Sequence, residues 1–350
     1  MTSTLQDRPS ARRSDPRPTL TLHVGTHKTG STSLQQVAFA NRERLLAAGT
    51  AVLETATRGF SRPHHNLAYE ALDMRRFKPG RGTLAEAEAE ARPLDAPNIL
   101  VTSESFSGRA VHAPKYERLR DLANRLDRRL RVVIVLREQL SYINSLYAFG
   151  VGRFSETDPF EAFVRRRARH NRFRYALVLD EWRKVADELV VLTYGPDVLD
   201  RFFAMLGAEV ERPRRLNASL GAKSVEAIRS LNRNLARLDK ASDRVERDRK
   251  SELWLARAKV AKQTTDAFGW NSTPYWGFDP ALAQEVSQAF AQDNQELAAR
   301  FGVSFELPLD RSRTRFDLEE AGDAERLDFA EKRRALWQAL KATSPRGDPG

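Results

Sequence analysis

The sequence predicts an α/β fold: a central parallel sheet of about five strands with helices on both faces, plus a helical C-terminal portion. Two observations carry this expectation. From Thr19 onward, short β-branched runs alternate with amphipathic segments, the pattern of a parallel sheet with covering helices. Beyond Gly207 the strand signals nearly stop and helical patterns take over. A third observation bounds the answer. With 350 residues, 41% hydrophobic and 30% charged, the chain is globular in composition and long enough to bury a full core.

In order, "TLTLHVG" (19–25) is a buried strand and "STSLQQVAFANRERLLAAG" (31–49) a helix closed by glycine. "TAVLE" (50–54) is a second strand. A polar loop, a helix from about Leu67, a Gly/Pro break at 79–82 and an alanine-rich helix to about Arg92 follow. "NILVTSES" (98–105) is the third strand, "KYERLRDLANRLDR" a helix, and "RVVIVLR" (131–137) the most strand-like run of the chain. A helix then covers "LSYINSLYAFG", and an Arg-rich helical region covers 159–186. "ELVVLTY" (188–194) is the fifth strand, before a helix with proline near its start and glycine at its end. Residues 222–267 and 280–301 read as helices, and a last helix occupies 311–342. The expected organisation is a single α/β domain over 19–310 with helical additions from about 222. Polar segments at 1–18 and 343–350 are expected to be disordered. The first of these lacks the apolar core of a signal peptide.

The charge balance is +11, with 58 basic against 47 acidic residues. Only 11 of the basic residues are lysine and the arginines are scattered, so no basic stripe interleaved with aromatics marks a nucleic-acid binder. There is no cysteine, which excludes disulfides, thiolate metal sites and a cysteine nucleophile. It also fits a reducing, cytoplasmic location. No run of about 18 apolar residues occurs, so no membrane span is expected. The scarce histidines lack metal-ligand spacing, so no metal is expected.

One stretch carries chemistry. After the first strand comes "GTHKTGSTS", Gly25 to Ser33, running into a helix. Gly25 and Gly30 stand where tight turns are needed. The N–H groups and hydroxyls at Ser31, Thr32 and Ser33, with the helix dipole, form an anion cradle, and Lys28 adds a point charge. A plain strand-to-helix turn with a polar cap explains one hydroxyl, but not a lysine, two glycines and the run Thr29, Ser31, Thr32, Ser33. The lysine precedes the second glycine, whereas a Walker-type nucleotide loop places it after.

This arrangement resembles the 5′-phosphosulfate loop of sulfotransferases that use PAPS (3′-phosphoadenosine 5′-phosphosulfate), matching it through Lys28, Thr29, Gly30, Ser31 and Thr32. The resemblance implies that the loop, with Thr26 and His27 inside it, holds the 5′-phosphate and that Lys28 lies near the bridging oxygen. A second likeness is independent. The family carries an arginine at the end of a later strand and a serine eight residues on, gripping the 3′-phosphate. Arg137 and Ser145 have that spacing. Such an arginine leaves the carboxyl end of a sheet strand, where α/β folds bind ligands. "VVLTYGPDVLDRFFAMLG" is similar to a further family segment and would bring Tyr194 near adenine, although Gly195 and Pro196 replace the usual acidic pair. Ser33 stands where many members have an aromatic that stacks on adenine. "NASLGAKS" (217–224) resembles a segment that closes over the nucleotide, which would make Lys223 a contact on the 3′-phosphate or adenine side. "FAQDNQELAARFG" is also family-like.

By this resemblance the protein is expected to transfer a sulfuryl group to a hydroxyl or amine on a small molecule or saccharide. Such a transfer needs a base. Glu104, at the end of the third strand, comes first and His65, in "RPHHNLAY", second. His64 and Glu54 remain open. Each also fits an ordinary role, a carboxylate paired with arginine or a histidine at a helix start. "GWNSTPYWGF" (269–278) reads as an aromatic anchor for the C-terminal helices before it reads as a platform for an acceptor. "VRRRARHNRFR" (164–174) reads as a solvated basic face before it reads as a cleft for an anionic acceptor. The alternatives to sulfuryl transfer are a P-loop small-molecule kinase, weakened by Arg137 standing where a Walker-B aspartate belongs, and a nucleic-acid binder driven by net charge.

Overall fold

Each strand run pairs with its neighbours in a parallel ladder. The computed structural model describes residues 17–107, 115–211, 219–241, 247–309, 311 and 314–343. Most of the expected N-terminal lead-in, the tail from 344, and Asn217 and Ala218 of "NASLGAKS" lie outside the described residues. In chain order the elements are β1 (Thr19–His23), α1 (Ser31–Ala40), α2 (Arg42–Ala47), β2 (Thr50–Val52), α3 (His65–Ala71), α4 (Leu84–Ala91), β3 (Asn98–Thr102), α5 (Glu117–Arg125) and β4 (Arg129–Leu136). They continue with α6 (Gln139–Gly152), α7 (Phe160–Arg167), α8 (Tyr175–Arg183), β5 (Glu188–Thr193) and α9 (Val198–Met205). Four helices end the series: α10 (Ala222–Ala241), α11 (Arg247–Ala267), α12 (Pro280–Phe301) and α13 (Asp323–Lys341).

The contacts divide the chain into two compact units, Met1–Leu136 with Leu177–Arg212, and Arg137–Ala176 with Pro213–Gly350. In this division, residues 137–176 group with the C-terminal helices. The Arg-rich region is also subdivided. A short 3-10 turn, Asn171–Phe173, separates α7 from α8. The last helix starts at Asp323, later than the expected 311.

The first unit holds the sheet, in the order β2-β3-β1-β4-β5 with every pairing parallel. From central β1 the chain goes to one side for β2 and β3 and to the other for β4 and β5. Right-handed crossovers in opposite directions place their helices on opposite faces. On one face α1, α2 and α9 bury Leu34, Val37, Leu45, Phe202 and Phe203 against Leu100 of β3 and Val133 of β4. In the other crossover α5 packs on β4, burying Leu119 and Leu122. Before α5, Tyr116 stacks on Trp182 with centroids 3.8 Å apart.

β1 alternates apolar Leu20 and Leu22 with polar Thr21 and His23, all fully buried. The polar set is satisfied laterally. Thr21 donates to Asn98 at 2.7 Å, Asn98 to Thr50 at 3.1 Å, and His23 Nδ1 meets the Thr102 hydroxyl at 2.7 Å. These side-chain bonds pin the register of β1, β2 and β3 where backbone pairing alone would tolerate slippage.

In the second unit α6 packs with α7, α10 and α12. Buried Asn144 of α6 donates to the Tyr275 carbonyl and accepts from the Gly277 N–H, both at 2.9 Å. Trp270 stacks on Phe329 of α13 at 5.3 Å, and Tyr275, Trp276 and Phe278 are buried. The aromatic side chains of 269–278 are therefore core of this unit. Along the Arg-rich stretch Arg166 pairs with Glu156 at 2.8 Å and with Asp158. Among the described residues no helix is long and apolar enough to cross a membrane.

Burial holds the His23 imidazole down to about 4 from 6.5, against the opposing pull of Glu104. The unfolded chain therefore takes up a proton near pH 6.5 that the folded one refuses until about pH 4. Stability is lost as pH falls through that window, by about 3 kcal/mol for this residue. His64, also lowered by burial, adds to the slope. Urea unfolding at pH 7 and pH 4.5 is expected to show a smaller loss for His23→Gln than for the parent protein.

Candidate functional site

The loop after β1 begins as an extension of the strand along β4. Val24 donates to the Val133 carbonyl and Thr26 to the Val135 carbonyl, both at 2.9 Å, while Val135 donates back to Gly25 at 2.5 Å. Three residues of the next six take left-handed backbone: Gly25 at φ 91°, Lys28 at 63° and Gly30 at 83°. Gly25 has no alternative. A Cβ there would lie 2.8 Å from the Glu104 Cβ and 2.9 Å from its Cα. Lys28 accepts a conformation that costs a non-glycine residue about 1–2 kcal/mol, and such outliers gather at functional sites. Gly30 is the N-cap of α1, which has no side-chain cap and no acidic residue in its first turn. The first N–H groups of a helix have no intrahelical acceptor, and its dipole favours an anion there.

The hydroxyls divide into two sets. Thr29 and Ser31 are buried and donate to the Thr26 carbonyl at 2.6 and 3.1 Å. Thr26 donates to Val135 at 3.2 Å. Those protons brace the loop, which leaves backbone N–H groups, exposed Thr32 and half-buried Ser33 as donors not used in this way. Tyr194, which follows β5, is 42% exposed. Its ring comes within 3.7 Å of where a Cβ on Gly30 would stand, so it lies against the loop.

Of the four base candidates, two come together. Glu104 opens a 3-10 turn, Glu104–Ser107, just past β3. Its Oε1 lies 3.7 Å from Nε2 of His65, and its Oε2 accepts from the Gln35 amide at 2.7 Å. His65 Nδ1 meets the hydroxyls of Ser103 at 2.8 Å and Ser105 at 3.2 Å. Burial raises the Glu104 pKa, but His65, His27 and the Gln35 hydrogen bond outweigh it and hold the carboxyl below its ordinary value. Burial lowers the His65 pKa, with Arg76 adding to that and Glu104 opposing it. Near neutrality the pair is thus a carboxylate beside a neutral imidazole.

The other two candidates have structural partners. His64 is fully buried and accepts from the Thr102 N–H at 3.1 Å. Its Nε2 lies 2.8 Å from the Leu53 carbonyl, so the ring staples the ends of β2 and β3. Glu54 is exposed and faces Arg42 at 3.6 Å.

Arg137, Ser145 and Lys223 belong to the second unit. Arg137 is the residue after β4, and its carbonyl accepts from the Tyr175 hydroxyl at 2.5 Å. Glu138 caps α6 by accepting from Leu140 and Ser141, each at 2.7 Å. Ser145, half-buried, stands nearly two turns into α6 by the usual 3.6 residues per turn. Lys223 is in the first turn of α10, pairs with Glu325 at 2.7 Å and lies over the Phe316 ring at 5.2 Å. Among the described residues no group of three or more His, Cys, Asp or Glu is placed to hold a metal.

Sequence reasoning missed Gln35, Ser103 and Ser105. Ser103 and Ser105 flank Glu104 and were legible as neighbours of a candidate. Gln35 carried only the signal of a polar residue one turn past Ser31 on a helix face that is otherwise apolar.

The two loop glycines are expected to respond differently to alanine. At Gly30 the nearest atom to an added Cβ is 3.7 Å away, so only the left-handed backbone penalty of about 1–2 kcal/mol applies. At Gly25 a steric term of about 1–3 kcal/mol adds to it. Denaturation midpoints should therefore fall further for Gly25→Ala than for Gly30→Ala. No family model, curated protein or solved structure matches the chain.

Proposed function

We propose that the protein is a sulfotransferase using PAPS as sulfuryl donor and a hydroxyl or amine, with carbohydrates among the candidates, as acceptor. The observation that supports this best is the close approach of the loop to Glu104, with Gly25 packed against its Cα and Cβ. A donor site and a proton acceptor then lie side by side. Within the first unit, helix N–H groups and Lys28 suit a 5′-phosphosulfate, with Tyr194 beside them as an aromatic wall, and the sequence resemblance assigns Arg137 and Ser145 to a 3′-phosphate.

When bound, PAPS supplies the sulfuryl group and departs as 3′-phosphoadenosine 5′-phosphate. The chain's own residues do the rest. Lys28 and the α1 N-terminus stabilise negative charge growing on the 5′-phosphate, charge that a loose transition state spreads over its oxygens. Glu104 takes the acceptor's proton as the new bond to sulfur forms, with the neutral imidazole of His65 beside it. A carboxyl held low is a weak base in the free protein. An anion seated in the loop raises its proton affinity by like-charge repulsion, so basicity increases when the donor arrives.

Calorimetry with adenosine 3′,5′-bisphosphate, ATP with Mg²⁺ and a DNA duplex separates this reading from its rivals. The bisphosphate is expected to bind, and Arg137→Ala to weaken it about 10- to 100-fold, as for loss of a charged hydrogen bond. Preference for ATP with Mg²⁺ or for the duplex overturns the proposal. In labelled-sulfate transfer assays, Glu104→Gln is expected to lower kcat by about 10²- to 10⁴-fold while bisphosphate affinity holds. Activity that survives Glu104→Gln but not His65→Ala would move the base to the histidine.

A further inference from the structure

We propose that Gln35 is a positioning residue, tying the Glu104 carboxylate to the helix whose N-terminus receives the anion. This inference rests on the functional reading above and deepens it. Gln35 is 1% exposed in α1, four residues after Ser31, so both occupy one helix face a turn apart. Ser31 ties that face to the loop through the Thr26 carbonyl, and Gln35 ties it to Glu104 through a 2.7 Å amide bond to Oε2. One rigid helix turn therefore joins loop and carboxylate. With Oε2 occupied, Oε1 is the oxygen turned toward His65 and left for the acceptor's proton.

The amide also acts electrically. An N–H donated to a carboxylate favours the charged form. Around Glu104 the titratable neighbours are His65 of α3, His27 of the loop and His23 of β1. His65 itself faces Arg76 and His64. The histidines change charge with pH, whereas the Gln35 amide is an uncharged donor that supports the carboxylate at any pH.

Two variants of nearly the same size test the role. Gln35→Met removes the donor, and Gln35→Glu replaces it with a like charge. Both keep the volume that a purely packing role requires. The expected result is a fall in kcat of about tenfold or more, since small misplacements of a reacting group are expensive. The acidic limb of the kcat profile should move to higher pH, further for Gln35→Glu than for Gln35→Met, with bisphosphate affinity within twofold of the parent. Profiles that superimpose on the parent's overturn the assignment, as does full turnover in Glu104→Gln.

A second readout needs no turnover. Infrared titration of the Glu104 carboxylate, taken as the difference between a protein and its Glu104→Gln counterpart, is expected to show an upward displacement in both Gln35 variants, larger for Gln35→Glu. An unmoved titration sinks the tie even where transfer is observed. A displaced titration with no sulfuryl transfer to any acceptor upholds the tie and removes the functional reading instead.

Discussion

The close approach of two backbones, Gly25 after β1 and Glu104 after β3, is the constraint on which the rest of the site depends. β1 and β3 are adjacent parallel strands, so their carboxyl ends emerge on one edge. The Thr21–Asn98 and His23–Thr102 bonds set the register between them. With that register fixed, the loop and the carboxylate meet with no room for a Cβ at Gly25. A slip of one residue would turn Thr21 and His23 to the opposite face and separate the two.

Electrostatics follow from the same packing. Glu104 is largely buried, which alone would raise its pKa. It stays ionised because His65, His27 and Gln35 converge on it. His23, buried one layer below, stays neutral for want of solvent, with Phe202 edge-on to its ring at 5.4 Å. The site thus combines a carboxylate, a neutral imidazole and a helix N-terminus within one unit, a set suited to accepting a proton beside an anion. The second unit has a separate core, built on the aromatic stretch around Asn144, and it carries Arg137 and Ser145.

Much of this was legible in the sequence. The five strands, their parallel arrangement and the long C-terminal helices follow from periodicity, because strands and helices impose different repeats on apolar residues. The loop was legible because its residue types are costly anywhere else: glycines with left-handed backbone and a lysine before a helix start. Glu104 and His65 were legible as candidates, each at an element boundary, but their pairing was not. The grouping of 137–176 with the C-terminal helices was not legible either, since nothing local in "LSYINSLYAFG" says which core it joins.

By itself the sequence determined the α/β class, the position of the anion-type loop and the set of residues able to act as base, all of which depend on local chemistry and short-range spacing. Only the tertiary structure gave those residues their different surroundings. It placed His64 as a staple between strand ends, exposed Glu54, joined Glu104 to His65, and turned the hydroxyls of Thr29 and Ser31 inward. The physical reason is that burial and hydrogen-bond partners come from residues far apart in the chain, and they set both the charge of a side chain and the direction in which it can act.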